Sequence, residues 1–305
     1  MKIVYLGTPD FAVKPLKKLV DSGYEIIAVV TNRDKPVGRK RVLTPPPVKA
    51  YAVENGIAVY QYDKIRVEGV EDLKKLNPDL MITCAFGQIL SQEIIDIPRL
   101  GVINIHASIL PKYRGASPIH YAILNGEKTT GITIMKTDVG IDTGDIILQK
   151  ETEIGDTETC GELFDRLSDL GAECIISALP LIESGKATFI KQDNNKATFT
   201  KIIKKEDAKI DFNRSAIDEY NKIRAFNPAP IAYTTLNGEP FKIYSAEIVD
   251  VSGVPGTVIK ADKELVIACG SGAISLKKVQ KAGGNAMNIS DFLRGNKFNV
   301  GEDFI

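Results

Sequence analysis

The sequence is poor in the residues that build metal centres and redox sites. Its 305 residues include two histidines, four cysteines and no tryptophan. The cysteines are scattered, and no pair among Cys84, Cys160, Cys174 and Cys269 has the spacing of zinc ligands or of a redox motif. We therefore expect no bound metal, and we expect reduced thiols of the kind that cytoplasmic proteins carry.

Long apolar runs and an excess of one charge are also missing. No run approaches the length that crosses a membrane, and residues 1–7 lead into a turn and do not resemble a signal peptide. Basic and acidic residues number 39 each, which argues against a chain that binds nucleic acid through its overall charge. These features predict a globular protein of the cytoplasm, without a membrane partner and long enough for two domains.

The start of the chain alternates strand and helix patterns. Residues 3–6 and 26–30 are apolar runs, and residues 11–20 between them have helical spacing. This order is typical of an α/β domain with a doubly wound, Rossmann-like parallel sheet. Only Gly7 stands in the first turn, where a dinucleotide-binding turn carries three glycines, so NAD binding is weakly supported.

Late in the chain the pattern changes to short strands. They recur between residues 231 and 279, with a turn at Asn237-Gly238, and predict a small OB-like β-barrel. We divide the chain into an α/β domain at 1–185, a linker at 186–205 and the barrel domain at 206–305. The linker carries six lysines and one acidic residue, an excess of positive charge that neither domain shares.

The stretch around residues 102–106 carries the chemistry. Asn104 and His106 end an apolar run, and residues two apart in a strand point to the same face. An amide can donate to a developing oxyanion, and an imidazole can donate or move a proton near neutral pH. Asp142, with a glycine two residues to either side, is a candidate carboxylate to orient the imidazole. A single histidine at a strand end is usually structural, but the asparagine beside it favours a catalytic role.

Residues 33–47, RDKPVGRKRVLTPPP, form a second basic segment. Five of its first nine residues are basic, and four prolines interrupt it. Such a composition predicts a long, mobile loop, which is either a solvated surface or a grip on phosphates. Long loops in compact domains are commonly functional, which favours phosphate binding.

Two motifs resemble the signature of the 10-formyltetrahydrofolate-dependent formyltransferases. They are Asn-x-His-x-Ser-x-Leu-Pro-x-x-x-Gly at residues 104–115 and Asp-x-Gly-x-Asp-x-Gly-Asp at residues 138–145. The resemblance covers the whole chain, through residues 7–11, 114–119 and 224–228, and is strongest to the members that act on methionyl-tRNA. Two departures are small: Ile109 stands where the family usually has leucine, and Ser117 where it usually has alanine.

The resemblance implies a reaction and its catalytic residues. A formyl group would pass from 10-formyltetrahydrofolate to the α-amine of initiator methionyl-tRNA, giving the formylated tRNA that begins translation. Asn104 would stabilise the oxyanion, His106 would donate and mediate proton transfer, and Asp142 would orient His106 and relay protons. No metal would take part.

The resemblance also implies two folate-binding segments. One is the turn after the apolar strand 79–83, for which a packed strand end is the alternative interpretation, and the other is a rigid turn after His106. Arg114, just beyond the second turn, is either solvated or holds phosphates or the folate tail. The residues expected to contact folate are Phe86, Gly87, Ile89, Leu90, Ser108, Ile109, Leu110 and Pro111.

The basic segments would then bind tRNA. Arg39 matches the family's key arginine, with Lys40 and Arg41 as helpers, and the linker and barrel would hold the rest of the acceptor. We expect the protein to work as a monomer. Formyltransferases that act on glycinamide ribonucleotide or an amino sugar nucleotide share the Asn-His-Asp set but have no need of these basic segments. A non-catalytic RNA-binding protein would have no need of the three site residues.

Overall fold

The computed structural model describes residues 1–38 and 40–304, so the prediction made for Arg39 lies outside the described residues. The strands are β1 (Lys2–Gly7), β2 (Glu25–Thr31), β3 (Lys35–Val37), β4 (Val42–Thr44), β5 (Val59–Gln61), β6 (Leu80–Cys84), β7 (Val102–His106), β8 (Arg114–Gly115), β9 (Thr129–Lys136), β10 (Ile146–Glu153), β11 (Phe199–Thr200), β12 (Ala232–Leu236), β13 (Glu239–Val249), β14 (Val258–Ala261), β15 (Leu265–Ala268), β16 (Ala273–Lys281) and β17 (Met287–Asn288).

The α-helices are α1 (Val13–Asp21), α2 (Pro47–Glu54), α3 (Ile65–Glu68), α4 (Val70–Leu76), α5 (Gln92–Ile95), α6 (Pro118–Leu124), α7 (Cys160–Glu183), α8 (Ala216–Ala225) and α9 (Ile289–Gly295). Short 3-10 helices lie at Asp10–Ala12, Asn194–Lys196 and Lys205–Ala208. Among the described helices, none is long and apolar enough to cross a membrane.

The described residues pack as two compact units. Unit 1 comprises residues 1–115, 130–153 and 164–200, and unit 2 comprises residues 116–129, 154–163 and those from 201 onward. The division of the sequence at residues 185 and 205 stays a prediction. Residues 190–200 of the predicted linker are nevertheless a structured part of unit 1, because Ile190 bridges Ile146 and β11 pairs with β8.

Unit 1 is built on a seven-stranded sheet in the order β10-β9-β7-β6-β1-β2-β5. The pairs β1–β2, β1–β6, β2–β5 and β6–β7 are parallel, and β7 pairs antiparallel with β9. Strand β6 is buried along its whole length, as a strand covered on both faces must be. The predicted Rossmann-like, doubly wound sheet is confirmed, and the strand order reverses beside β1, where such sheets bind ligands at the carboxyl ends of their strands.

The basic segment at residues 33–47 is more regular than expected. Strands β3 and β4 pair antiparallel, with Val37 opposite Val42, so part of the segment is a β-hairpin and not an irregular loop. The β-branched residues valine and threonine favour extended backbone, which accounts for the strands despite the prolines nearby. Every residue of both strands is exposed.

Unit 2 contains an antiparallel sheet in the order β12-β13-β16-β15-β14, with β17 paired to β16. The predicted turn between β12 and β13 is present, and Asn237 and Gly238 both have positive φ, as the tightest hairpins require. Phe241, Phe292 and Phe304 are buried at the centre of its core. A C-terminal antiparallel sheet is thus confirmed, while its closure into an OB-like barrel stays a prediction.

One buried ion pair fastens α8 inside unit 2. Lys222 Nζ lies 2.9 Å from Glu219 Oε1 and donates to the Lys209 carbonyl at the same distance. Burial raises the pKa of Glu219, and its bonds to Lys222 and the Asp211 amide oppose that rise. The pair ties the helix to the segment that leads into it.

Candidate active site

Neighbouring strands of unit 1 bring the predicted site residues together. Strand β7 places Asn104 and His106 at its carboxyl end, and its register with β6 sets Asn104 opposite Thr83. The loop between β9 and β10 carries Asp142 back to the same place. The three side chains that the sequence singled out therefore meet, and their catalytic roles stay predictions.

Asp142 is the centre of this cluster. Its Oδ1 accepts a hydrogen bond from Asn104 Nδ2 at 3.2 Å, and its Oδ2 accepts one from the Gly115 amide at 2.7 Å. His106 Nδ1 lies 3.6 Å from the same Oδ2. The His106 side chain is 6% exposed and that of Asp142 17%, so water screens their interaction weakly.

Thr83 fixes the orientation of the Asn104 amide. Its hydroxyl donates to Asn104 Oδ1 at 3.0 Å, so the amide oxygen faces Thr83 and the nitrogen faces Asp142. An amide nitrogen carries two hydrogens, and the bond to Asp142 uses one of them. The arrangement aims a preoriented N–H donor at the site, which is what oxyanion stabilisation requires.

The position of the hydrogen on His106 follows from its backbone partner. His106 Nε2 lies 3.0 Å from the Tyr113 carbonyl, which can only accept, so Nε2 carries a hydrogen. In a neutral ring Nδ1 then has a lone pair that faces Asp142 Oδ2. A hydrogen on Nδ1 would point toward this carboxylate oxygen, so the contact suits the proton-transfer role predicted for the pair, and that role stays a prediction.

The backbone of the Asp142 loop has little freedom to vary. Asp142 has φ of +51°, in the left-handed region that non-glycine residues seldom adopt. A side chain at Gly144 would collide with the Lys136 carbonyl, and one at Gly140 would collide with the Thr143 hydroxyl. The flanking glycines are therefore required by close packing within the loop.

The turn after β6 divides into buried and accessible parts. Phe86 and Leu90 belong to the hydrophobic core of unit 1, so the packed interpretation holds for their side chains. Ile89 is 70% exposed and Gly87 is exposed too. Thr8 Oγ1 and Asn32 Nδ2 both donate to the Phe86 carbonyl and fix the turn. Contact with folate through Gly87 and Ile89 stays a prediction that this exposure allows.

The turn after β7 is held from below by β9 and β10. Thr133 Oγ1 donates to the Ser108 carbonyl at 2.6 Å, and Gln149 Nε2 donates to the Leu110 carbonyl at 2.9 Å. Ser108 and Leu110 are buried, whereas Ile109 and Pro111 are partly exposed. The accessible edge of this turn is therefore apolar.

Arg114 differs from its expected role. It is 2% exposed, so its charge is neither solvated nor placed on the surface for phosphates. Its guanidinium donates to Gln192 Oε1 and Asn194 Oδ1. The sequence did not point to Thr83, Gln192 or the Gly115 amide as parts of the site. Of the three, only Gly115 lies in one of the two family motifs, at the end of residues 104–115.

His120 lies apart from this chemistry. It packs against Phe226 within unit 2, with ring centroids 6.3 Å apart. Burial lowers the pKa of His120, and a hydrogen bond with the Ala229 backbone opposes that shift. These contacts fit a structural role for His120. Among the described residues, no group of three or more histidine, cysteine, aspartate or glutamate side chains could hold a metal ion.

The chain belongs to the formyl transferase family. Residues 1–179 match the family's formyl transferase model, and residues 202–297 match the model of its C-terminal domain. The resemblance seen in the sequence is thus confirmed.

Relatives extend over nearly the whole chain. A methionyl-tRNA formyltransferase of Bacillus velezensis is 45% identical over 306 residues, covering 99% of this chain and 96% of the relative. One from Ruminiclostridium cellulolyticum is 44% identical, covering 99% of each. The fold matches an N-formyltransferase of Helicobacter canadensis, solved with folinic acid and dTDP-3-aminofucose, at a TM-score of 0.70 and 22% identity, over 92% of this chain and 99% of that one.

Thr83→Val tests the orientation of Asn104. The substitution keeps the side-chain shape but removes a hydrogen bond worth about 1 kcal/mol, so we expect formyl transfer to turn over about five- to tenfold more slowly. KM should change little, and turnover and KM are measured together in a steady-state assay.

Thr31→Val is the matched control. Thr31, on β2, is also buried, and its hydroxyl has no hydrogen-bond partner among the described residues. It should leave turnover unchanged. An equal loss in both variants, or none at Thr83, would show that the hydroxyl does not orient the amide.

Proposed function

We propose that this protein transfers the formyl group of 10-formyltetrahydrofolate to the α-amine of initiator methionyl-tRNA. The observation that carries the proposal is the convergence of Asn104 and His106 on the Asp142 carboxylate at the carboxyl edge of the sheet. Two further findings support the proposal: the chain belongs to the formyl transferase family, and relatives similar to it over nearly their whole length are methionyl-tRNA formyltransferases. Cytoplasmic localisation and a monomeric state are part of this proposal.

Asn104 acts on the oxyanion. In acyl transfer to an amine, negative charge develops on the carbonyl oxygen, and a fixed N–H donor stabilises that charge without having to reorganise. Asn104 Nδ2 is such a donor, because Thr83 and Asp142 hold the two ends of its amide. Losing one donor of this kind typically slows turnover about 10²–10³-fold.

His106 and Asp142 act on the proton. The attacking amine must lose a proton as its bond to the formyl carbon forms, and the leaving nitrogen must gain one. The Nδ1 atom of His106 and the carboxylate of Asp142 face each other with room for one proton between them. The pair takes the proton from the amine and returns it to the leaving group.

The accessible residues fit a folate. The co-substrate supplies the formyl group and presents a flat ring system with polar edges. Ile89, Ile109 and Pro111 offer apolar contact, and the exposed backbone near Gly87 offers polar groups. Phe86, Leu90, Ser108 and Leu110 support these contacts from the buried side.

The basic segments hold the tRNA. Lys40 and Arg41 are exposed beside β3 and β4, and Val37, Val42 and Leu43 of that hairpin are each more than half exposed. Arg39 joins them in the proposal by its match to the family motif. The six lysines of residues 186–205 are exposed as well. Contacts of this kind give salt-dependent affinity for phosphates.

An acceptor competition tests the reaction. The protein is incubated with 10-formyltetrahydrofolate, charged initiator methionyl-tRNA and glycinamide ribonucleotide, and both products are quantified. We expect formylated methionyl-tRNA alone. Transfer only to the small acceptor, or to an amino sugar nucleotide in a parallel reaction, would contradict the roles given to the basic segments and keep those of Asn104, His106 and Asp142.

Arg39→Ala tests the tRNA side separately. Removing the charge should lower transfer to methionyl-tRNA at least tenfold, since the acceptor end loses a cationic contact. Folate affinity, measured by calorimetry, should be unchanged. Arg66→Ala, which removes an exposed arginine from α3, is the control and should have little effect. If Arg39→Ala lowered folate affinity as well as transfer to methionyl-tRNA, a role confined to tRNA would be contradicted.

A further inference from the structure

We propose that Gln192 is a positioning residue for Asp142, and that Arg114 holds Gln192 in place. The inference rests on the proposed function in one respect, which is that the reaction uses the Asp142 carboxylate. Its geometry lies wholly within unit 1.

Gln192 binds the backbone of the Asp142 loop at two points. Its Nε2 donates to the carbonyl of Asp142 and to the carbonyl of Gly144, each at 2.8 Å. These two carbonyls lie on either side of residue 143. Both hydrogens of one amide therefore span the loop and fix its curvature where the carboxylate emerges.

The other end of the same amide is bound by Arg114. Arg114 Nε and Nη2 donate to Gln192 Oε1 at 3.0 and 2.8 Å. Guanidinium groups only donate and carbonyls only accept, so the Gln192 amide has one allowed orientation. A carboxylate at position 192 would still accept from Arg114, but it would have no hydrogen to donate to the loop and would repel the two loop carbonyls.

Contacts other than those with Gln192 also hold Arg114 in place. It is 2% exposed, its amide donates to the Thr198 carbonyl at 2.8 Å, and its carbonyl accepts from Thr200 Oγ1. The next residue, Gly115, donates its amide hydrogen to Asp142 Oδ2. The two-residue strand β8 therefore contacts Asp142 in two ways. Gly115 binds the Asp142 carboxylate directly, and Arg114 holds the Asp142 backbone through Gln192.

The loop needs this second point of support. Asp142 has a left-handed backbone conformation, and glycines stand two residues to either side. A left-handed conformation is strained for a residue other than glycine, so it persists only where bonds from outside the loop hold the backbone that positions the carboxylate. A displacement of about 1 Å in a catalytic group can cost about 10²-fold in rate.

The test is Gln192→Glu in the full-length protein. The new carboxylate pairs with Arg114 but repels the Asp142 and Gly144 carbonyls, so stability and activity should separate. We expect the melting temperature to stay the same or rise, and turnover at neutral pH to fall about 10- to 100-fold. KM for folate and for tRNA should change less than threefold.

A second measurement follows the loop without any reaction. The Gly115 amide reports on Asp142, because Oδ2 of that residue is its acceptor. Its hydrogen exchange should speed up at least tenfold in Gln192→Glu, while amides in the middle of β1 exchange as before. This result would support the positioning role even if the substrate were not methionyl-tRNA.

Asn194→Asp is the matched control. Asn194 Oδ1 also accepts from Arg114, at 2.9 Å, and the substitution adds the same charge beside the same guanidinium. It makes no change to the two bonds that reach the loop, so turnover should stay within twofold and Gly115 exchange should not change.

Three results would overturn the proposal. One is near-normal turnover in Gln192→Glu together with slow exchange at Gly115. Another is a fall in melting temperature that accompanies the loss of turnover, since that identifies a structural role. The third is an equal loss in Asn194→Asp, which would assign the effect to charge near Arg114 and not to the loop.

Discussion

The carboxylate of Asp142 accepts hydrogen bonds from two separate parts of the chain, and the geometry of the site depends on it. Asn104 reaches it from β7 and the Gly115 amide reaches it from β8. His106 can donate to this carboxylate only when its Nδ1 carries a hydrogen. Nδ1 and Asp142 Oδ2 can therefore share one proton. Asn104 and His106, the proposed oxyanion donor and proton acceptor, thus both lie against a single carboxylate.

The parallel sheet explains why these parts meet there. Strands β6 and β7 run side by side, so Thr83 faces Asn104, and the turns that follow both strands lie at the same edge. That edge holds an apolar surface with exposed Ile89 and the accessible parts of Ile109 and Pro111. A flat co-substrate and a polar reaction centre can therefore be served by adjacent turns.

The sequence predicted Asn104 and His106 from their short spacing and Asp142 from its glycine-flanked motif, but it missed the supporting residues that only tertiary contacts bring to the site. Asn104 and His106 pair through strand parity, which is local. Thr83 lies 21 residues from Asn104 in the chain, and Gln192 lies 50 residues from Asp142, so no periodicity links either pair. Phe86 and Leu90 were ambiguous because an apolar strand end suits both a ligand wall and a core. Arg114 misled because charge is a poor guide to burial once amide acceptors are supplied.

The most direct measurement is the turnover of Asp142→Asn in formyl transfer, with folate affinity and melting temperature measured beside it. An asparagine has one acceptor oxygen, so it cannot serve Gly115 and Asn104 together, and it offers His106 no carboxylate. We expect turnover to fall at least about 100-fold while folate affinity and melting temperature stay unchanged. Turnover close to that of the unchanged protein would contradict the central place given to this carboxylate.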